Sequence, residues 1–390
     1  MDKWKEYKLG ELVKINSKSI DRDYQFKEIQ YLDTGSITMG NIDSFQNFLL
    51  EKAPSRAKRL VKDRDIIYST VRPIQRHYGY IINVQENLVV STGFAVITSD
   101  EKLINSKFLY YYLTSDEVVN YLDMIAEAST SAYPSLRPDD ISNLDITIPP
   151  LSEQSTIASI LSSLDDKIDL LYRQNKTLEA MSETLFRQWF LEEAKDSWDV
   201  GKISDLIEFN PKRSLSKGAI APYLEMSNLS NELYYPINWY DREFSSGTKF
   251  VNGDTLLARI TPCLENGKTA FVDFLEENQV GWGSTEYIVM RSKMNLHPYF
   301  SYIIARYEDF RNYAIGCMVG SSGRQRADVD NIMNYEIPIP SVETVEKFNR
   351  SISEILLKMN NNNNQTRSLA KLRDELLPKL MSGEIILNTK

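Results

Sequence analysis

Two long stretches of the chain repeat apolar residues at alternating steps of three and four, the spacing of helices that pack along one seam. The first stretch, residues 152–194, contains no Gly or Pro, and its apolar positions are Ile157, Leu161, Leu164, Ile168, Leu171, Leu178, Leu185 and Trp189. The second stretch repeats this phase with Phe348, Ile352, Ile355, Met359, Leu369, Leu376 and Leu380. A helix that begins at a Ser152 cap would extend roughly 60 Å over the first stretch. Since one helix cannot bury such a seam alone, we predict that the two form an antiparallel coiled coil.

Polar residues interrupt both apolar seams. Asn175 and Ser182 stand in the first, and residues 360–364 of the second are all asparagine. Asparagine is a poor helix former, although a buried asparagine can fix the register of a coiled coil. The sequence leaves two readings open at residues 360–364, a local fray of the helix or a polar contact that sets its register.

The segments that precede the two predicted helices are copies of one pattern, about 191 residues apart. Residues 65–73 (DIIYSTVRP) match residues 254–262 (DTLLARITP), and ITIPP at 146–150 matches IPIP at 337–340. Proline cannot continue a strand ladder, so both proline pairs mark the point where a strand ends and a helix follows. The pattern indicates a tandem duplication.

Each copy combines short alternating strands, predicted in the first copy at residues 65–70, 78–84 and 88–98, with a helix predicted at residues 106–124. We therefore predict the α+β class, with two tandem-duplicated α+β domains joined and separated by two long antiparallel coiled-coil helices. The predicted boundaries are residues 1–148 for domain 1, 149–196 for a central spacer helix, 197–340 for domain 2 and 341–390 for a C-terminal spacer helix.

Composition narrows the class of protein. The 390 residues carry a net charge of −9, with 42% apolar and 25% charged residues, which is typical of a soluble globular protein. No run of about 18 apolar residues exists, and the charged start MDKWKEYKLGELVKIN lacks a secretory apolar core, so neither a membrane span nor a secretory signal is predicted. Two distant cysteines, Cys263 and Cys317, make a poor disulfide framework and favour a reducing cytoplasm.

Motifs for catalysis do not emerge from the sequence. The chain lacks the Asn/Asp-Pro-Pro-aromatic loop of amino-group methyltransferases and the GxxxxGK[ST] phosphate loop. Its two histidines, His77 and His297, lie in different domains, which leaves little material for a metal site or a Cys-His nucleophile. A nuclease-like combination of Asp139 with residues 165–167 falls partly inside the predicted coiled coil, and we interpret it as accidental. Together these observations favour a binding protein with no cofactor or metal of its own.

Positive charge is concentrated between residues 52 and 76, where eight Lys and Arg residues face only two Asp residues. Such a local excess is consistent with nucleic-acid binding even in a chain that is acidic as a whole. A solvated basic loop explains the same charge equally well.

Three stretches resemble the conserved regions of the specificity (S) subunits of type I restriction-modification systems. They are residues 135–154 (SLRPDDISNLDITIPPLSEQ), 178–190 (LEAMSETLFRQWF) and 376–385 (LLPKLMSGEI). The order domain–helix–domain–helix is also that of the family, so the resemblance covers the whole chain. It implies a non-catalytic reader of double-stranded DNA, with two target-recognition domains that each read one half of a bipartite sequence.

The resemblance also implies partners. These are two modification (methyltransferase) subunits and the restriction (helicase-nuclease) subunits, which would carry S-adenosylmethionine, ATP and Mg²⁺. Residues at the ends of the two spacer helices are predicted to contact the modification subunits, with packing against the adjoining domain as the alternative: Phe186, Trp189, Phe190, Leu376 and Leu380. The competing functions are an orphan specificity adaptor of a methylation-only system and a two-domain adaptor that binds protein only.

The residues predicted to contact DNA lie in the basic segment and in small polar loops at matching places of the two copies. In domain 1 they are Arg56, Lys58, Arg59, Ser69, Thr70, Arg72, Gln75, Arg76, His77, Thr130, Ser131 and Tyr133. In domain 2 they are Arg259, Thr261, Asn266, Lys268, Ser321, Ser322, Arg324, Gln325 and Arg326. Arg can donate in pairs to guanine and Gln or Asn to adenine, whereas Lys contacts mainly phosphate. We favour base reading for Arg72 and leave Arg259 open; solvated loops remain the alternative for the whole set.

Overall fold

The computed structural model describes residues 4–129, 133–194, 198–293, 295–321, 323–385 and 387. The chain forms two compact units. Unit 1 is Met1–Lys167 together with Ser368–Lys390, and unit 2 is Ile168–Arg367. Both boundaries fall inside long helices, so each unit contains one of the predicted domains and a segment of each helix.

The two long helices span Leu151–Phe186, here called the central helix, and Val342–Met381, the C-terminal helix. The central helix starts one residue before the predicted Ser152 cap, because the carbonyl of Pro150 accepts the first helical hydrogen bonds. It continues as a π-helical segment, Arg187–Glu192, where ordinary α-helix was predicted. The C-terminal helix runs without a break through residues 360–364, so the fray is excluded there.

The predicted antiparallel pairing is confirmed inside each unit. In unit 2 the rings of Phe190 and Phe348 lie 4.9 Å apart, and Asn175 hydrogen-bonds to Asn363. The second contact lies fifteen residues earlier on the first helix and fifteen residues later on the second, so the helices run in opposite directions. In unit 1 Arg373 forms an ion pair with Asp165 at 2.9 Å. That contact also gives Asp165 a structural role, in agreement with the interpretation of the nuclease-like pattern as accidental.

Unit 1 contains two four-stranded sheets. In spatial order their strands are Gln46–Leu49, Glu28–Leu32, Leu88–Ser91 and Ala57–Leu60 in one sheet, and Val13–Ile15, Phe94–Ser99, Ile66–Ser69 and Tyr78–Tyr80 in the other. Two-stranded ladders join Lys5–Lys8 to Asp145–Ile148 and Ile37–Thr38 to Asn41–Ile42. The helices of the domain are Leu9–Leu12, Ser106–Leu113, Asp116–Glu127 and Pro138–Ser142.

Unit 2 repeats this plan. In spatial order, the strands of its first sheet are Tyr240–Glu243, Ile220–Leu224, Gly281–Gly283 and Thr248–Phe250. Those of its second sheet are Ile207–Phe209, Tyr287–Ser292, Asp254–Ala258 and Thr269–Phe271. Two-stranded ladders join Val200–Lys202 to Glu336–Pro338 and Met318–Val319 to Arg326–Ala327. The helices of the domain are Ile203–Leu206, Phe300–Arg306, Glu308–Gly316 and Val329–Ile332. The same strand order in both units, with one parallel pair in each, confirms the predicted duplication and the α+β class.

Two predicted elements of domain 1 are each divided in the structure. The strand predicted at 88–98 is two strands, because the Ser91 hydroxyl accepts the N–H of Gly93 at 3.2 Å and closes a turn between them. The helix predicted at 106–124 is also two, because the Ser115 side chain accepts the N–H of Val118 and caps the second helix. Local capping by serine therefore overrides the longer apolar pattern.

Each unit has its own main core, formed where the second of its sheets packs against the helices. The core of unit 1 includes Phe108, Leu122 and Leu161, and that of unit 2 includes Phe300 and Phe348. None of the helices in the described part of the chain has the length and apolarity needed to cross a membrane.

Candidate nucleic-acid interface

A loop that follows a buried strand is held in the same way in both units. In unit 1 the loop follows Ile66–Ser69: the N–H of Arg72 donates to Pro134, and the carbonyl of Thr70 accepts from Leu136, at 3.1 and 2.7 Å. In addition the N–H of Thr70 donates to the carbonyl of Gly93 at 2.9 Å. We call residues 69–77 strand-end loop 1.

The matching loop of unit 2 follows Asp254–Ala258. The N–H of Thr261 donates to Gln325 at 3.1 Å, and the carbonyl of Arg259 accepts from Ala327 at 2.8 Å. The N–H of Arg259 donates to the carbonyl of Glu286 at 2.9 Å. We call residues 258–268 strand-end loop 2.

These bonds define which residues are equivalent. Thr70 corresponds to Arg259, and Arg72 corresponds to Thr261. The match of residues 65–73 with residues 254–262 predicts the same equivalence, so Arg72 and Arg259 stand two positions apart along the loop.

A short 3₁₀ turn, Pro73–Gln75, gives strand-end loop 1 a fixed tip. Arg72 and Arg76 flank it in the left-handed region, with φ of 47° and 58°. The N–H groups of Gln75 and Arg76 donate back to Arg72 and Pro73, and that of Ile74 donates to the carboxylate of Asp123 at 3.1 Å. The tip therefore presents the exposed side chains of Arg72, Ile74 and Gln75 on a constrained backbone. Ile74, which is 49% exposed, was not predicted, since an apolar residue gives no charge signal.

Other predicted residues of this loop already have partners in the protein. The hydroxyls of Ser69 and Thr70 donate to the carbonyls of Val71 and Gly93, and Nδ1 of His77 donates to the carbonyl of Ile37. The guanidinium of Arg76 pairs with Asp116 at 2.8 Å. These four side chains stabilise the loop, which leaves Arg72 and Gln75 as its exposed predicted donors.

A basic segment next to this loop contributes Arg56, which precedes the strand Ala57–Leu60, and Lys58 and Arg59, which lie within it. The carbonyl of Arg56 accepts the N–H of Thr92 at 2.8 Å, so the exposed Arg56 side chain starts beside the turn that follows Ser91. Lys58 is exposed, whereas Arg59 is half-buried, and burial lowers the pKa of its guanidinium.

Strand-end loop 2 also contains both side chains that are bonded within the protein and side chains that are exposed. Nζ of Lys268 donates to the carbonyl of Met226, and the Thr261 hydroxyl donates weakly to that of Gln325. Asn266 is exposed at the end of the turn that follows Pro262.

In unit 2 the segment that hydrogen-bonds to strand-end loop 2 contains two arginines. Arg326 has an acidic ion-pair partner, and Arg324 is exposed. Arg326 forms a forked pair with Glu286, with Nε and Nη2 at 2.9 and 2.8 Å from Oε1. Arg324, Ser321 and, in unit 1, Tyr133 are exposed, and Gln325 is half-buried. The predicted residues Thr130, Ser131 and Ser322 lie outside the described residues.

Unit 2 also has an open basic groove of about 290 Å³ beside strand-end loop 2. We call it the basic groove; its polar lining comes from Asn210, Arg213, Thr248, Lys249, Arg259 and Thr285. Only Arg259 was predicted from the sequence. Arg213 lies 41 positions from Asp254, the carboxylate that it contacts at 3.1 Å, and no local pattern links the two.

The predicted subunit-contact residues lie in the cores. Phe186 and Phe190 are fully buried in unit 2 and Trp189 is 8% exposed. The ring of Phe186 packs with that of Phe300, and the ring of Phe190 with that of Phe348. In unit 1 Leu380 is 2% exposed and Leu376 packs partly buried against the same core. These side chains offer little surface to a partner, because the adjoining domain covers them. Their placement corresponds to the alternative of packing against the domain.

Within the described ranges, His, Cys, Asp and Glu side chains form no group of three or more that is placed to hold a metal ion. Nδ1 of His297 accepts the N–H of Tyr299, and burial lowers the pKa of this imidazole. The arrangement is therefore one of donors and cations on constrained loops, which suits binding.

Comparison with known proteins gives these loops a context. A family model described as type I restriction modification DNA specificity domain matches residues 1–180 and 195–373. The type I restriction enzyme HindI specificity subunit of Haemophilus influenzae is 25% identical, over 99% of this chain and 100% of that protein. The MjaIX specificity subunit of Methanocaldococcus jannaschii is 25% identical, over 86% of this chain and 81% of that protein.

A solved structure agrees with the fold. The type I restriction-modification system S subunit from M. genitalium aligns with a TM-score of 0.54 at 16% identity, over 97% of this chain and 96% of that chain. At this identity the likeness concerns architecture alone.

Proposed function

The chain belongs to the type I restriction modification DNA specificity family, and from this premise we propose that it is a specificity subunit whose two domains each read one half of a bipartite double-stranded DNA sequence. The observation that carries the proposal is the pair of strand-end loops. Their backbone bonds are the same, while their exposed side chains differ.

The chemistry of the two loops suits different half-sequences. Loop 1 presents Arg72 and Gln75, which match guanine and adenine edges in the major groove, next to the apolar Ile74, which matches the methyl group of thymine. Loop 2 presents Asn266, an adenine-type donor and acceptor. Loops anchored by equivalent backbone bonds but carrying different side chains are what two unequal half-sequences require.

The long helices are proposed as the spacer between the two half-sites and as the platform for partners. Two half-sites about one helical turn apart, roughly 34–36 Å, would present the major groove to both domains. Two modification subunits and the restriction subunits would bind the assembly and carry S-adenosylmethionine, ATP and Mg²⁺, in the cytoplasm. Their phosphate contacts would supplement those of a chain whose own net charge is −9.

A domain exchange tests the proposal. Residues 1–145 are replaced by those of another family member, and methylated adenines are mapped in a host that carries the system. One half of the methylated motif should change and the other should stay. Change in both halves, or in neither, would show that the domains do not read independently.

A gel shift with the modification subunits present separates DNA reading from a protein-only adaptor. Neighbouring genes for a helicase-nuclease would separate a restriction system from a methylation-only one.

A further inference from the structure

We propose that the basic groove of unit 2 binds a phosphate group of the DNA backbone and so anchors domain 2 on its half-site, an inference that rests on the proposed DNA recognition. Arg213, Lys249 and Arg259, which carry cationic side chains, line the groove together with Thr248 and Thr285. Nζ of Lys249 also lies 5.0 Å from the centre of the Phe244 ring. Cations together with hydroxyl donors are the groups that proteins use for phosphate oxygens.

The positive charge of the groove is not neutralised by its neighbours. Asp254 is one buried carboxylate shared by Arg213 and Arg291, at 3.1 and 2.6 Å, so this trio keeps one net positive charge. In the described part of the chain neither Lys249 nor Arg259 has an ion-pair partner. The groove therefore attracts an anion.

Two guanidinium donors of the groove lack a partner in the described part of the chain. Nε of Arg213 and Nε of Arg259 are both buried and donate no hydrogen bond to any described residue. A buried donor without an acceptor is unfavourable, and a bound phosphate oxygen would supply the missing acceptor.

The walls of the groove are constrained. Gly247 has φ of 151°, and a Cβ there would lie 2.2 Å from the carbonyl oxygen of Gly283, so the chain can pass at this point only as glycine. On the other wall the backbone of Arg259 is bonded to Glu286 and Ala327. A preformed site loses little entropy when it binds.

Arg259 links the groove to strand-end loop 2. Its backbone belongs to that loop while its side chain lines the groove. A phosphate held there would lie next to the base pairs that the loop is proposed to read, so the contact fixes position and the loop reads sequence.

Domain 1 has a weaker version of this feature. The positions that match Arg213 and Arg259 are Ser19 and Thr70, and the main cation there is Arg59, which pairs with Ser19 across a β-bridge. Nε of Arg59 is also buried without a partner. We therefore expect the backbone contribution to be larger in domain 2.

The test uses the full chain assembled with its modification subunits and a duplex that carries the mapped sequence. Binding of Arg259→Gln and Lys249→Gln is measured across salt concentrations on the cognate duplex and on singly altered duplexes. The matched control is Arg242→Gln, which removes an equal charge from an exposed residue of the same domain that stacks on Tyr223. Each groove variant should weaken every duplex alike and reduce the salt slope by about one, while the control leaves the slope unchanged.

A second readout locates the phosphate. Single methylphosphonate substitutions, which remove one backbone charge, are placed along each strand. For the wild-type complex, a methylphosphonate at one position of the domain 2 half-site should reduce the affinity. For Arg259→Gln, the same methylphosphonate should cause no further reduction.

The outcomes separate the two proposals. A wild-type complex without sequence preference overturns the DNA-reading function. A wild-type complex with preference, but with unchanged salt slopes in both groove variants, overturns the groove alone. If Arg259→Gln changes the discrimination at one base pair and leaves the other duplexes unaffected, Arg259 reads a base. That result would also overturn the phosphate-binding role of the groove.

Discussion

The side-chain amide of Asn175 donates to the side-chain carbonyl of Asn363 at 2.7 Å, in the buried seam between the central and C-terminal helices of unit 2. The side-chain carbonyl of Asn175 in turn accepts from Asn362 at 2.8 Å. The asparagine run is therefore part of a satisfied amide network. Buried polar contacts of this kind favour one register over its neighbours, because a shift would leave amides without partners.

We predict that Asn175→Ala destabilises unit 2 by about 1–3 kcal/mol, since Asn362 and Asn363 each lose a buried partner. The measurement is the unfolding midpoint in denaturant. Asn361→Ala is the matched control, because this residue belongs to the same run but is exposed. In a double-mutant cycle, Asn175→Ala and Asn363→Ala should cost less together than the sum of the two. Strict additivity would contradict a coupled network.

A second prediction concerns pH. The carboxylate of Glu179 on the central helix accepts the N–H of Tyr234 and the hydroxyl of Tyr302, both at 3.0 Å. Burial raises the pKa of Glu179 to about 7, from 4.5. An acid with a raised pKa in the folded state stabilises the fold fully below its unfolded pKa, and this contribution is lost as pH rises through about 7.

We expect Glu179→Gln to remove about 1 kcal/mol of the stability difference between about pH 6 and about pH 8. Denaturant unfolding at both pH values gives this difference, with Glu343→Gln as an exposed control in the same unit. Equal pH dependence in Glu179→Gln and in the unchanged protein would show that the carboxyl does not titrate in this window.

A third prediction concerns the aromatic residues for which the sequence predicts either a subunit contact or packing against the adjoining domain. Phe190 is fully buried, with its ring 5.3 Å from that of Phe300. Phe190→Ala should therefore destabilise unit 2 by about 3–5 kcal/mol. Leu357→Ala, at a residue 63% exposed on the C-terminal helix, should leave the unfolding midpoint unchanged. Intact stability with lost assembly in Phe190→Ala would restore the contact role.

A fourth prediction concerns Arg72. Its side chain has no hydrogen-bonded partner among the described residues and stands on the fixed tip of strand-end loop 1. Arg72→Ala should cost about 1–3 kcal/mol on the cognate duplex and relax specificity at one base pair. Arg64→Ala, which removes an equal charge at the other end of the same strand, is the control. A uniform loss on all duplexes would assign Arg72 to the backbone.

The sequence predicted the features that depend on periodicity and on internal repetition, namely the helical seam and the equivalence of the two domains. The spacing of Leu161 and Leu171 was enough to predict a helical seam, and the match of Asp65 with Asp254 was enough to align the two domains. Both residues of each pair are buried in the structure, as those patterns require.

What the sequence did not show depends on contacts between distant positions. Arg76 and Asp116 are 40 positions apart, so an arginine that looked available for DNA is paired instead. Phe186 has the same pattern whether a domain or a partner subunit covers it, and only the fold decides between them. Arg213 had no recognisable motif, because the basic groove is assembled from four separate segments of the chain.

At Arg72 and Arg259 the strand-end loops are held by main-chain atoms alone. A main-chain hydrogen bond places no demand on the side chain that the same residue carries. Substitutions at these positions can therefore accumulate one at a time, without compensating mutations elsewhere. Under the proposed DNA-reading function, the recognised sequence can therefore change faster than the fold that displays it.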